Sequence, residues 1–299
     1  MDSTETVNPD FADIDTWPTI AAIEAMLDGQ QDAIAALRGQ EPALAAACEA
    51  AAARLWQNGR IIYAGAGTSI RIAVQDGVEL GPTFGWPADR LAYIIAGGPA
   101  ALMASAEGAE DNSDDARAQV AALDVISDDI LIGVAASGKT PFTVAAVEAA
   151  RVAGALTIGI ANNPDTALPR AADHSIIAAT GSEMIAGSTR MKAGTAQKAA
   201  LNLLSTGIML RLGRVYRGQM VDMIITNEKL LLRGQQMVAD LSGCDAATAA
   251  RALKTADNNI KLAVLIAMGH APAVASRALD DAGQLLRAAL ALLGKGERP

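Results

Sequence analysis

Aromatic residues are scarce in this 299-residue chain, with three Phe, three Trp and three Tyr. A core that is not built on rings must be built on small aliphatic groups. The hydrophobic fraction of 51% is carried largely by alanine, which favours many closely packed helices. Cysteine is scarcer still. Cys48 and Cys244 stand far apart, each in a helical pattern, so neither a disulfide framework nor a cysteine metal site is expected. His174 and His270 are isolated, with no second histidine at ligand spacing. No apolar run reaches the ~18–20 residues of a membrane span. Met1 to Trp17 is acidic and polar rather than a basic stretch leading into an apolar one, so a cytoplasmic protein without membrane association is expected. Positive charge is in deficit, and a net charge of -9 argues against non-specific nucleic-acid binding.

The apolar pattern predicts an α/β chain. Alanine and leucine recur at helical spacing from Ile20 to Trp56, giving two helices that stop at Asn58-Gly59. Five short apolar runs follow: Ile61 to Ala64, Leu91 to Ala96, Ile130 to Val134, Leu156 to Ile160 and Ser175 to Ala178. The stretches between them are long enough for crossovers, so the runs predict a doubly wound five-stranded parallel sheet flanked by helices. A long helix is expected from about Met191 to Leu212, and helices again from Asn227 to Leu293, with breaks near Ser242-Gly243 and Gly269-His270. The domains expected are a helical N-terminal segment over 1–57, a sheet domain over 58–225 and a small helical C-terminal module within 226–299. The first and last few residues are polar and expected to fray.

In open parallel sheets, ligands sit beyond the carboxyl ends of the strands. Gly65-Ala66-Gly67-Thr68-Ser69 follows the first run and Ala136-Ser137-Gly138-Lys139-Thr140 the third. Glycines allow close backbone approach, and hydroxyls at a helix start suit an anionic group, although ordinary capping uses the same residues. Beyond the fifth run, Gly181 to Lys198 carries Glu183, Ser188, Thr189, Arg190 and Lys192, either donors and acceptors for a polar anionic molecule or a solvated helix start. Gly133 to Thr140, GVAASGKT, formally matches a nucleotide P-loop. That reading is rejected, because Gly133 falls inside an apolar run, Pro141 follows at once, and no strand ends in the aspartate that a nucleotide-bound magnesium needs. Glu79 lies between Val78 and Leu80 in an apolar context, which suits either a general acid/base or a buried structural carboxylate. Glu107, Glu110 and Asp111 form an acidic cluster that solvation alone would also explain.

Glu183 with Ser188-Thr189-Arg190-Met191-Lys192 and Lys198, together with NLLSTG from Asn202 and TNEKL from Thr226, resembles the N-acetylmuramic acid 6-phosphate etherases and the related glucokinase regulatory proteins. The resemblance runs from about Gly59 to Leu293. It implies a sugar isomerase (SIS) domain, a homodimer with sites near the subunit contact, and a C-terminal module like a ubiquitin-associated fold around Cys244 to Gly269. It also implies release of D-lactate from a sugar phosphate by elimination, then hydration, with no metal or organic cofactor. By the family's pattern Glu79 matches the proton donor and Glu110 the second catalytic glutamate, while Gly67, Thr68, Ser69 and Ser137 to Thr140 match the sugar-phosphate loops. The segment Gly77-Val78-Glu79-Leu80-Gly81-Pro82 departs from the usual Ala-Ser-Glu-Cys-Pro-Pro, Ile70 replaces a usual glycine, and Thr4-Glu5 and Asn8 match the family's polar N-terminal segment only loosely. Two other expectations stand beside the lyase: a non-catalytic sugar-phosphate sensor and a sugar-phosphate isomerase. A sensor has no need of paired acid/base groups, and an isomerase releases no lactate.

Overall fold

Five parallel strands, β1 (Ile61–Gly65), β2 (Leu91–Ile95), β3 (Ile130–Ala135), β4 (Leu156–Ala161) and β5 (His174–Ile177), form one sheet in the order β2-β1-β3-β4-β5. This computed structural model describes residues 3–56, 58–104 and 106–295. Each strand coincides with one of the apolar runs to within a residue or two. β1, β3 and β4 are buried along their whole length, as central parallel strands covered on both faces must be, while β2 and β5 at the edges are only partly buried. The strand order reverses between β1 and β3, and there the loops leaving the sheet part and open a crevice.

Helices α1 (Thr19–Ala35) and α2 (Glu41–Leu55) precede the sheet. The crossovers carry α3 (Gly67–Phe84), α4 (Ser113–Ala122), α5 (Pro141–Val152) and the short α6 (Ala167–Ala171), and α7 (Lys192–Arg211) follows β5. Alanine makes the close packing possible. Ala145, Ala146 and Ala150 on α5 and Ala116 on α4 join Ile62, Ile94 and Leu131 in one buried cluster. Gly133 belongs to this packing and not to a loop: a Cβ there would sit 2.5 Å from Val147 Cγ2, which explains its place in the strand.

The chain divides into two compact units. One comprises residues up to Gly77 together with Asp89–Ile208; the other comprises Val78–Ala88 and everything from Met209. The second unit is helical, with α8 (Glu228–Ser242), α9 (Ala246–Thr255), α10 (Ile260–Ala267), α11 (Pro272–Asp281) and α12 (Leu286–Lys295) around a core that includes Met237, Leu253, Val264 and Leu279. Its helices break at the two expected places and at two more. Asp257 and Asn258 take positive φ before Asn259 caps α10, and Gly283 and Gln284 do the same before α12. Cys244 lies in the turn between α8 and α9, not in a helix as its surroundings suggested, because Gly243 ends α8 in the left-handed conformation and Asp245 caps α9.

The N-terminal segment also departs from expectation. Ser3–Glu5 forms a 3-10 turn rather than fraying, because Asn163 ties it down. The Ser3 N–H and hydroxyl donate to Asn163 Oδ1 at 3.0 and 2.7 Å, Asn163 Nδ2 donates to the buried Thr4 hydroxyl, and the Thr4 carbonyl accepts from the Gly187 N–H.

Candidate functional site

A cavity of 460 Å³ opens at the crevice between the carboxyl ends of β1 and β3. The loop after β1 contributes Ala66, Gly67, Thr68 and Ser69, and the loop after β3 contributes Ser137, Lys139 and Thr140. Two helices, α3 and α5, begin in this wall, and the first residues of α3, whose N–H groups have no partner within the helix, line it beside the hydroxyls. Gly67 makes the strand-to-helix turn with φ of +55°. Ser137 Oγ lies 3.4 Å from Thr140 Oγ1 and accepts from the Lys139 N–H, which holds both hydroxyls on one side of the loop. This is a donor-rich concavity suited to a phosphate. Its remaining walls hold Glu110 and Asp111 from the turn after β2, with Thr189, Gly187 and Glu5.

The structure therefore gathers Gly67, Thr68, Ser69, Ser137, Lys139, Thr140, Thr189 and Glu110, and leaves the other expected site residues elsewhere. Gly138 is buried behind its loop, donating to the Ala135 carbonyl and accepting from the Leu168 N–H. Glu183 is fully buried, and its two carboxylate oxygens accept from the Lys192 and Ala193 N–H groups at 3.0 and 2.9 Å. Those are the first N–H groups of α7, so this carboxylate caps a helix. Lys192 Nζ donates to the Ser182 carbonyl, Ser188 is half-buried and Arg190 is exposed; none of the three lines the cavity.

Glu79 is exposed on α3 rather than enclosed by its apolar neighbours, and Val78 beside it is exposed too; Glu79 does not line the cavity. Three residues earlier on the same helix, Asp76 is buried and accepts from the Tyr63 hydroxyl at 2.7 Å, Asn202 Nδ2 at 2.6 Å and the Ser205 hydroxyl at 3.0 Å. Asn202 and Ser205 are two of the three polar members of NLLSTG, and their work is to fasten α3 to α7. Burial, then the neighbouring Asp76 carboxylate, raises the Tyr63 phenol well above its usual value, and the same causes push Tyr93 up to about 12. Gly77 fits this packing: a Cβ there would sit 2.6 Å from Tyr93 Oη.

Glu5, matched only loosely to the family's N-terminal segment, was not expected among the site residues, because a polar terminal stretch has no periodicity to mark it as docked. Among the described residues, no group of three or more His, Cys, Asp and Glu side chains is arranged to hold a metal ion.

Comparison with known proteins extends the geometry. Residues 43–151 match the family model described as glucokinase regulatory protein N-terminal SIS domain, and residues 108–207 match SIS domain. The chain is 45% identical to an N-acetylmuramic acid 6-phosphate etherase of Deinococcus radiodurans over 98% of its own length and 96% of the relative's. It is 45% identical to one of Streptomyces coelicolor, over 97% and 93%, and 42% identical to one of Salmonella choleraesuis, over 96% and 97%. Among solved structures, a phosphosugar isomerase candidate involved in capsule formation from Bacteroides fragilis superposes with a TM-score of 0.52 at 20% identity, covering 67% of this chain and 95% of that one, which marks a shared fold.

Proposed function

This chain belongs to the family of N-acetylmuramic acid 6-phosphate etherases, and from that premise we infer that it is a carbon–oxygen lyase cleaving the lactyl ether of N-acetylmuramic acid 6-phosphate to N-acetylglucosamine 6-phosphate and D-lactate, a step of cell-wall amino-sugar recycling. The observation that carries the reading is the cavity itself: hydroxyls of two loops, the start of α3 and the carboxylate of Glu110 face one space large enough for a sugar phosphate.

In this reading Thr68, Ser69, Ser137 and Thr140 donate to the phosphate, with the α3 N–H groups beside them and Lys139 and Thr189 at the margin. The open-chain aldehyde acidifies the adjacent carbon. One carboxylate removes that proton, the electron pair forms a carbon–carbon double bond, and the lactate oxygen leaves with a proton from a carboxylic acid. Water then adds to the carbon that bore the ether. Glu110 and Glu79 share these proton transfers, each worth typically 10²–10⁴-fold. Glu110 is assigned because it lines the cavity, and Glu79 because the family pattern puts the donor there. No metal or organic cofactor takes part.

The same reading makes the protein a cytoplasmic homodimer. No described helix is long and apolar enough to cross a membrane. Ile20, Ile23, Leu27 and Ile34 recur at coiled-coil spacing along α1, and each is half or more exposed, a stripe of the kind a second subunit covers. Glu79 is exposed, and the resemblance puts the sites near a subunit contact.

The test is D-lactate release by the purified protein, wild type against Glu110→Gln and Glu79→Gln. Each variant is expected to fall by about two orders of magnitude or more while still binding N-acetylglucosamine 6-phosphate. Full turnover in either variant removes that glutamate from the mechanism.

A further inference from the structure

A second, smaller hollow of 200 Å³ adjoins the first, sharing Ala66, Gly67 and Glu110 with it. Its distinctive wall residue is Arg71, one turn along α3 from Gly67. Arg71 Nε donates to the Leu102 carbonyl at 3.0 Å and Nη2 to the Ala101 carbonyl at 2.9 Å. Both acceptors are uncharged. They fix the plane of the guanidinium but leave its charge unmatched by any carboxylate among the described residues, and three of its five N–H groups without a protein partner there. Most of the remaining wall is alanine and glycine, with the exposed Glu107 at one side.

We propose that this hollow receives the acidic ether substituent of the substrate, with Arg71 as the anchor for its carboxylate. The proposal rests on the etherase reading and deepens it. The substrate is anionic at both ends, with a phosphate on one side of the sugar and a carboxylate on the lactyl group. The two hollows match that division. Ser137 and Thr140 line only the larger one and Arg71 only the smaller one. Glu110 lines both, so a molecule spanning them carries its ether oxygen, the atom between sugar and lactyl group, past that carboxylate. The planar fork of an arginine suits a carboxylate, and the backbone carbonyls already hold it in place. The negative charge of Glu107 opposes a carboxylate lying on its side of the hollow and favours the Arg71 side. The product lacks the substituent and leaves the hollow empty, so Arg71 distinguishes substrate from product.

Calorimetric binding in the turnover-deficient Glu79→Gln background, with and without Arg71→Met, and D-lactate release by Arg71→Met itself separate the possibilities. Arg71→Met is expected to weaken binding of N-acetylmuramic acid 6-phosphate on the order of 10- to 100-fold and to leave N-acetylglucosamine 6-phosphate within about twofold. Equal weakening of both ligands, or of neither, overturns the proposal. Arg71 also holds the turn at Ala101 and Leu102, so a second measurement keeps Arg71 and uses the Glu79→Gln background alone. The neutral lactyl amide of the substrate is expected to bind at least about tenfold more weakly than the acid; equal affinity overturns the proposal. The two readings fail separately. Preference for the acid without lactate release keeps the subsite and removes the etherase, whereas lactate release indifferent to Arg71 keeps the etherase and removes the subsite.

Discussion

Ser137 and Glu183 look alike in the sequence, each a polar residue in a loop beyond a strand, and the structure gives them opposite work. Ser137 faces the cavity within 3.4 Å of Thr140 Oγ1, whereas Glu183 is buried against the start of α7. Replacing Ser137 with Ala is expected to reduce affinity for the phosphorylated sugar by about tenfold or more, as loss of a hydrogen bond to a charged group does. Affinity for the unphosphorylated sugar should hardly change, and titration of both ligands checks this. That a hydroxyl after a strand at the sheet's switch point would line the cavity was legible, because topology alone puts it at the crevice. A carboxylate in a polar loop was not, since it reads the same whether it accepts from a sugar hydroxyl or from a helix N–H. Glu5 was hidden for a different reason: the contacts that dock it run through Asn163, about 160 residues away.

At the scale of elements, α7 depends on Glu183 at its first turn, and α3 depends on Asp76 gripping Asn202 and Ser205. Glu183→Ala leaves the buried Ala193 N–H and the part-buried Lys192 N–H without an acceptor and is expected to lower unfolding stability by about 1–2 kcal/mol. Denaturant unfolding measures it. A variant of wild-type stability that has instead lost phosphosugar affinity would return Glu183 to the ligand. All five strands were legible because parallel strands buried on both faces leave unbroken apolar runs between polar turns. The breaks at Asp257-Asn258 and at Gly283-Gln284 were less so, since Asp, Asn and Gln at positive φ resemble the polar face of a continuing helix. NLLSTG was recognisable as a signature, but its physical role needed the buried Asp76 to explain it.

For the whole molecule, the alanine-rich composition announced tight helix packing, while the grouping of Val78–Ala88 with the helices after Met209 left no mark, because that segment begins inside a continuous α3. The exposed stripe on α1 was hidden by its own regularity, since apolar residues at helical spacing read as a buried face whether or not anything covers them. Leu27→Glu is expected to convert a dimer to a monomer by light scattering without unfolding it; a wild-type protein that is already monomeric would remove the stripe as an interface.

The central claim is that this cavity eliminates a lactyl ether and then hydrates the product, and oxygen labelling tests it most directly. In water enriched with oxygen-18, mass spectrometry should find a heavy oxygen in the N-acetylglucosamine 6-phosphate on the carbon that bore the ether, apart from label exchanged at the aldehyde carbon, and none in the D-lactate. Label in the lactate, or no lactate at all, would contradict it.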